Sequence, residues 1–426
     1  MSVQAQPAAD GPAEASIGVR GWMREAFPVL DALEAAGGPD CARFVGGCVR
    51  DAVAGAPVAD VDLATTLRPD QAMEALEAAG LRVVPTGLIH GTVTAVVEGR
   101  SYEVTTLRRD VTTDGRRATV AFTDDWREDA KRRDFRLNAL YADRAGRVYD
   151  PLGGGLEDAR QGRVIFAGEP ETRIREDYLR ILRFFRFHAR SGRGEPDREA
   201  LAACSALKDG LRQLSAERVQ KELLKLLEVA DPRAALRAMA AVGVLFIVLP
   251  EVVSLQRCER LVEIETEQLF ADPDPELRLA AALAPGRAEA AGARLKLSTD
   301  QRERLLAAED DGAVRIVSWL SPREARRAVY RLGPQTFRAR VLLAWAADPR
   351  PVVTPQWRSL LSLGQTWTAP AFPITGEQIL AAGVPEGPLV GRVRAEVEDW
   401  WIDLDFPDDP LAAVERLKAV AQGLAY

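Results

Sequence analysis

Two aspartates bracket one apolar residue at Asp60-Val61-Asp62, a short way downstream of a glycine pair, Gly46-Gly47. In a β-strand alternate side chains share a face, so Asp60 and Asp62 are expected side by side, with Val61 and Leu63 turned to the core. Such a pair grips a hard cation. Mg²⁺ takes carboxylate oxygens and keeps positions for water and substrate phosphates, which is the chemistry of nucleotidyl transfer. Gly46-Gly47 follows a short apolar run and precedes a predicted helix over Val49 to Ala54. Backbone amides with no Cβ in the way, at a helix N-terminus, suit a triphosphate, and Arg50 adds a positive charge beside them.

A second group of residues with chemical potential runs from Ile174 to Arg190. At 100° per residue, Asp177, Arg180, Arg183, Arg186 and Arg190 share one half of a helix, while Ile181, Leu182, Phe185 and Ala189 take the other. Between Arg160 and Arg193 nine arginines face four carboxylates, a local balance of +5 in a chain whose net charge is −7. An acidic chain does not advertise polyanion binding as a whole, so this basic stripe is where an RNA or a triphosphate is expected. A third cluster, Lys131-Arg132-Arg133, runs into the apolar segment that ends at Tyr141. Read as the start of a helix, it places cations at the positive end of the helix dipole, a cost that suggests a bound anion at Arg133.

The order Gly-Gly-x-x-Arg-Asp (Gly46 to Asp51), Gly55, Asp60-x-Asp62 and Thr65-Thr66 resembles the signature of the nucleotidyltransferases that extend tRNA ends and of their poly(A) polymerase relatives. Arg132-Arg133-Asp134-Phe135-x-x-Asn138-Ala139-Leu140 and Glu176-Asp177-x-Leu179-Arg180-x-Leu182-Arg183-x-x-Arg186-Phe187 resemble two further motifs of that family. The resemblance to its class II, bacterial-type branch covers residues 43 to about 230. It implies an α+β fold, in which a polymerase-β-like head with a small mixed sheet is followed by an all-α neck, body and tail. It implies catalysis by Asp60 and Asp62 with Mg²⁺, with Glu103 either a third carboxylate from a neighbouring strand or a solvated strand residue. It assigns Gly46, Gly47, Arg50, Arg133, Arg183 and Arg186 to the nucleotide and its triphosphate, and Asp177 with Arg180 to the base. Cytosine and adenine both present an exocyclic amine beside a ring-nitrogen acceptor, so one carboxylate and one guanidinium select them without a template strand. The function so implied is addition of CCA to tRNA 3′ ends from CTP and ATP. The alternative is a poly(A) polymerase, which shares these head motifs; a non-catalytic RNA-binding module would not need the Asp pair.

The elements that must position these groups divide the chain into four expected segments: a flexible tail over 1–20, the head over 21–165, the neck over 166–230, and a helical body and tail over 231–426. Helices are expected over 21–36, stopped by Gly37-Gly38-Pro39, and from Pro69 to Ala79, with strands in the β-branched runs beginning at Gly91 and Ser101. Glu103 lies on the second strand. The polar, glycine-broken stretch 108–123 reads as a mobile loop. Tyr149 to Gly155 lacks the Gly-Lys-Ser/Thr ending of a P-loop and reads as a turn. Ser215 is the expected N-cap of a helix running through the leucines to Leu227. Beyond 230 the prolines break one helix after another and no chemistry is evident, while Trp357, Trp367, Trp400 and Trp401 are read as core residues, with base stacking the alternative.

Composition narrows the rest. With 47% hydrophobic and 28% charged residues in 426, the chain suits two or three globular domains. The first residues lack a basic start and an apolar core, and no run is long enough to span a membrane. Cys41, Cys48, Cys204 and Cys258 have no metal or disulfide spacing, which fits a cytoplasmic protein. The two histidines, His90 and His188, are too few for a His-built metal site or a Ser-His-Asp hydrolase, and neither precedes an aspartate; His188 is read as a packing residue. No obligate protein partner is evident.

Overall fold

The structure, a computed structural model, describes residues 13–87, 91–113, 118–309, 312–350 and 354–423. His90, the tip of the expected loop at 114–117 and the first twelve residues lie outside them. The chain divides into two compact units: residues 1–253 with 293–296, and residues 254–292 with 297–426.

The first unit is built on a mixed sheet of eight strands: β1 (Ala15–Ser16), β2 (Ala42–Val45), β3 (Asp62–Thr65), β4 (Arg82–Gly87), β5 (Thr92–Val97), β6 (Arg100–Thr106), and, past a separate hairpin of β7 (Arg108–Thr113) and β8 (Ala118–Phe122), β9 (Tyr141–Ala142) and β10 (Arg147–Tyr149). Their spatial order is β1-β10-β9-β2-β3-β6-β5-β4. Only β3 and β6 run parallel, in a register that sets Asp62 level with Glu103. β2 is buried along its whole length, as a central strand covered on both faces must be. Helices α1 (Gly21–Glu25), α2 (Phe27–Gly37), α3 (Gly47–Ala54) and α4 (Pro69–Ala78) accompany these strands. The single helix expected over 21–36 is two, because Pro28 has no N–H to continue the first and instead enters the first turn of α2.

Two expectations are corrected here. Ala15–Ser16, inside the expected flexible tail, pairs with β10, Ala15 opposite Val148, and so satisfies an edge that would otherwise be open; a two-residue strand leaves no periodic signal. The stretch 108–123 is not simply a loop, since β7 and β8 pair antiparallel across it. The run Asp114-Gly115-Arg116-Arg117 between the two short strands masks that pairing in the sequence.

After the sheet come α5 (Trp126–Arg132), α6 (Gly155–Gln161), α7 (Pro170–Glu176), α8 (Leu179–Ser191), α9 (Arg198–Leu207), α10 (Ala216–Leu227) and α11 (Arg233–Ala241). The turn expected at Tyr149 to Gly155 leads directly into α6. α10 and α11 both pack on α8, so the helical segment and the sheet belong to one unit, and the expected boundary at 230 falls inside it. Ser215 takes the N-cap position of α10 but makes no side-chain capping bond there. His188 is buried and stacked on Phe184, and burial holds its pKa below the ordinary value, as a packing histidine requires.

Among the described residues, the regular elements of the second unit are all helices. Its longest helix, Pro322–Ala347, breaks at Gly333, where φ is 75° and Pro334 follows. Trp357 and Trp401 are buried, as core residues should be, while Trp367 and Trp400 are half-buried. A separate cluster of Ile374, Ile379, Val393, Val397 and Leu417 closes the C-terminal end.

Candidate active site

The turn between β2 and α3 holds Gly46 at φ 72°, ψ −120°, a conformation that a side chain would strain, and its N–H donates to the Leu140 carbonyl at 3.1 Å. α3 therefore starts at Gly47, two residues earlier than the sequence suggests. Its N-terminus opens on a cleft of about 260 Å³. Gly46, Gly47, Arg50, Asp60, Asp62, Arg133 and Arg183 all line this cleft, so segments up to 137 residues apart in sequence meet in one place. Asp51, Asp134, Asn138, Phe187 and Arg190 complete it.

The carboxylates sit differently from the expected strand pair. β3 begins at Asp62, opposite Val45, and Asp60 lies exposed in the segment before it. Burial, then the charges of Glu103 and Asp60, push the Asp62 carboxyl up to about 6, against the opposing pull of Arg133. The Asp60 and Asp62 carboxyls supply the hard oxygen donors Mg²⁺ requires, and a cation there would offset the crowding that raises Asp62, so the residues fit such an ion. Among the described residues, no three His, Cys, Asp or Glu side chains already converge as a closed metal cluster. Glu103 is exposed and, although level with Asp62 in the sheet, does not line the cleft.

Each cleft arginine is anchored. Arg50 is buried, donating through Nε to Asp51 at 2.7 Å and through Nη1 to Asn138 at 2.8 Å; burial lowers its pKa while Asp51 opposes the fall. Asn138 in turn donates to Asp134 at 3.0 Å, whose other oxygen receives Arg183 Nε at 2.8 Å. Arg133 follows the last residue of α5 and pairs with Asp129 one turn earlier, at 3.0 Å. It is therefore not at the helix start expected from the sequence. At the C-terminal end the dipole favours cations, so no electrostatic cost implies an anion there. The case for Arg133 rests instead on its place in the cleft wall.

The arginine helix is also rearranged. α7 ends at Glu176, and Asp177, at φ −158° and ψ 107°, is an extended joint before α8, off the helical face it was expected to share. Asp177 pairs with Arg218 of α10 at 2.7 Å and accepts the Leu179 N–H at 3.1 Å. Arg180 pairs with Glu176 and donates to the Arg173 carbonyl at 2.7 Å. Asp177 and Arg180 do not line the cleft. Arg186, expected at the nucleotide, is 9% exposed, bonded to Glu222 at 2.6 Å and stacked over Phe187, and does not line the cleft either. With Arg183 on Asp134 and Arg190 on Asp51 at 3.3 Å, the four arginines from 180 to 190 each hold a carboxylate. The stripe is thus less a bare basic face than a row of paired charges.

Several of those partners, Asp51, Asp129, Asp134, Asn138, Arg218 and Glu222, have roles that the sequence by itself does not suggest. Three of them, Asp51, Asp134 and Asn138, lie inside the family motifs. Arg218 and Glu222 stand four apart on one face of α10, the one local sign that they act together.

The head region, residues 42–165, matches the family model described as the poly A polymerase head domain, and residues 195–255 match a model described as the probable RNA and SrmB-binding site of polymerase A. Over 375 residues the chain is 33% identical to the mitochondrial CCA tRNA nucleotidyltransferase 1 of Mus musculus, covering 84% of this chain and 82% of that protein. It is 32% identical over 402 residues to a CCA-adding enzyme of Levilactobacillus brevis, covering 91% and 96%. Among solved structures, the Bacillus stearothermophilus CCA-adding enzyme in complex with CTP superposes with a TM-score of 0.78 at 26% identity, over 95% of this chain and 100% of that one. The Thermotoga maritima CCA-adding enzyme complexed with tRNA, at 19% identity and a TM-score of 0.65 over 97% and 100%, shares the fold.

Proposed function

The chain belongs to the CCA tRNA nucleotidyltransferases, and we propose that it completes tRNA 3′ ends with C, C and A from CTP and ATP, choosing each nucleotide without a template strand. The observation that carries the reading is the single cleft in which the Asp60 and Asp62 carboxylates face Arg50, Arg133, Arg183 and the N-terminus of α3.

In this reading the Gly46 and Gly47 backbone and the three arginines take the triphosphate, and their fixed charge neutralises the pyrophosphate as it leaves. Asp60 and Asp62 would hold Mg²⁺, which when bound stabilises charge on the attacking and leaving oxygens. Glu103, one strand away, acts on that pair electrostatically through Asp62. Asp177 and Arg180, outside the cleft wall and held by Arg218 and Glu176, exchange those partners for the base: Asp177 then accepts the exocyclic amine of cytosine or adenine and Arg180 donates to the adjoining ring nitrogen, while uracil and guanine present the reverse pattern and are refused. Arg186 we assign to the Glu222 pair between α8 and α10. tRNA is taken up by the helical residues beyond 231. Four buried free cysteines suit the reducing cytoplasm, and among the described residues no helix is long and apolar enough to cross a membrane.

Purified protein given tRNA lacking its 3′ CCA, with CTP and ATP, should add three nucleotides and stop. ATP alone on an unstructured RNA should yield little product. Long adenosine tails on that RNA, with weak use of CTP, would instead make the chain a poly(A) polymerase.

A further inference from the structure

The buried carboxylate of Asp129, 1% exposed, has no part in the scheme above. Its Oδ1 accepts Arg132 Nε at 2.8 Å and the Arg108 backbone N–H at 3.2 Å. Its Oδ2 accepts the Tyr141 hydroxyl at 2.7 Å and two nitrogens of Arg133, Nε at 3.2 Å and Nη2 at 3.0 Å. The Tyr141 hydroxyl in turn accepts Arg133 Nε at 3.3 Å. Tyr141 is fully buried and edge-on to Trp126 at 5.1 Å, so the atom that receives Arg133 is itself fixed by the core.

Among the described residues, one guanidinium nitrogen is left over. Nη1 of Arg133 stands 3.5 Å from where a Cβ would sit on Gly46, the N-cap of α3. A long arginine side chain ordinarily samples many rotamers, and ordering it at the moment of binding weakens the binding. Here that ordering is done in advance, because a planar guanidinium held through two of its nitrogens has its third direction determined.

We propose that Asp129 and Tyr141 are positioning residues for nucleotide binding, which lock Arg133 so that Nη1 is presented to a phosphate of the incoming triphosphate beside the N-terminus of α3. The proposal rests on the reading of Arg133 as a phosphate ligand. Neither Asp129 nor Tyr141 touches the nucleotide, and their contribution passes through Arg133 alone.

Tyr141→Phe keeps the packed ring and removes only the hydroxyl; Asp129→Asn keeps the shape and removes the charge. Each should raise KM for CTP and for ATP alike, by roughly tenfold, while leaving KM for tRNA unchanged and kcat within roughly threefold. In an Arg133→Ala background the same Tyr141→Phe change should cost almost nothing further, because its only route of action is gone. Full additivity in that double variant overturns the proposal, as does a Tyr141→Phe protein with unchanged KM when Arg133→Ala alone raises it. If Arg133→Ala leaves KM for both nucleotides untouched, the phosphate reading of Arg133 fails and the proposal fails with it. Should Asp129→Asn not fold, Tyr141→Phe and its double variant decide the matter.

Discussion

Replacing Arg186 by alanine separates a nucleotide ligand from a fold-holding residue. Arg186 and Glu222 are 9% and 6% exposed, with Nε and Oε2 2.6 Å apart, and they join α8 to α10. Removing one partner of a buried pair leaves the other charge uncompensated, at a typical cost of about 3–5 kcal/mol. Arg183 Nη1 lies 3.6 Å from the other Glu222 oxygen and can take up part of the charge, so the lower end, about 3 kcal/mol, is expected. For a unit of this size that corresponds to a fall in melting temperature of roughly 6–12 °C. The double variant Arg186→Met, Glu222→Leu removes both charges and fills the volume, and should recover most of the loss, to within about 1 kcal/mol of the parent. Arg183 keeps Asp134 in that variant, so CTP binding should survive. The assay is a thermal melt in parallel with equilibrium CTP titration, on the parent, Arg186→Ala and the double variant. A double variant that melts like the parent yet has lost CTP affinity would refute the assignment and return Arg186 to the nucleotide.

Asp60→Ala and Asp62→Ala should each lower the rate of incorporation by at least roughly 10³-fold, with the melt in Mg²⁺-containing buffer unchanged within a few degrees; activity retained at saturating Mg²⁺ would remove them from catalysis. Asp177→Ala or Arg180→Ala should reduce discrimination of CTP over UTP by roughly 10- to 100-fold, with triphosphate affinity little changed, and unaltered UTP rejection would end the base-reading role. The raised Asp62 pKa has a definite sign: the fold favours the protonated form, so its stability contribution is complete below about pH 4, the unfolded value, and is lost as pH rises through about 6. In cation-free buffer the parent should therefore lose stability relative to Asp62→Asn across that window, and added Mg²⁺ should remove the difference; melts that track each other at every pH contradict the carboxylate crowding.

The candidate site was legible in part because its motifs are local. Gly46-Gly47, Arg50, Asp60 and Asp62 fall within seventeen residues, and glycine followed by a helix start or two acids at alternate positions carry their meaning in chemistry alone. Arg133 lines the cleft although the helix-start reasoning does not hold for it, because which end of α5 it occupies depends on where that helix stops. Arg186 looked equivalent to Arg183, since both lie on the polar half of one helical period. What distinguishes them is Glu222, arriving from α10 thirty-six residues on, and no pattern within α8 announces it.

By itself the sequence determined the kind of chemistry and the class of fold: a carboxylate pair, a glycine-opened helix, an arginine-rich helix, strands first and helices after. These follow from side-chain periodicity and from the conformational freedom of glycine and proline, which act over a few residues. Only the tertiary structure decided the register that sets Glu103 level with Asp62, the partners that claim each arginine, and the meeting of β3, α3, α5 and α8 in one cleft. An ion pair falls off over a few ångströms, so its partner is selected by packing between distant elements. The charge on an arginine is written in the chain, but whether that charge is offered to a ligand or spent on a neighbour is settled when the helices close.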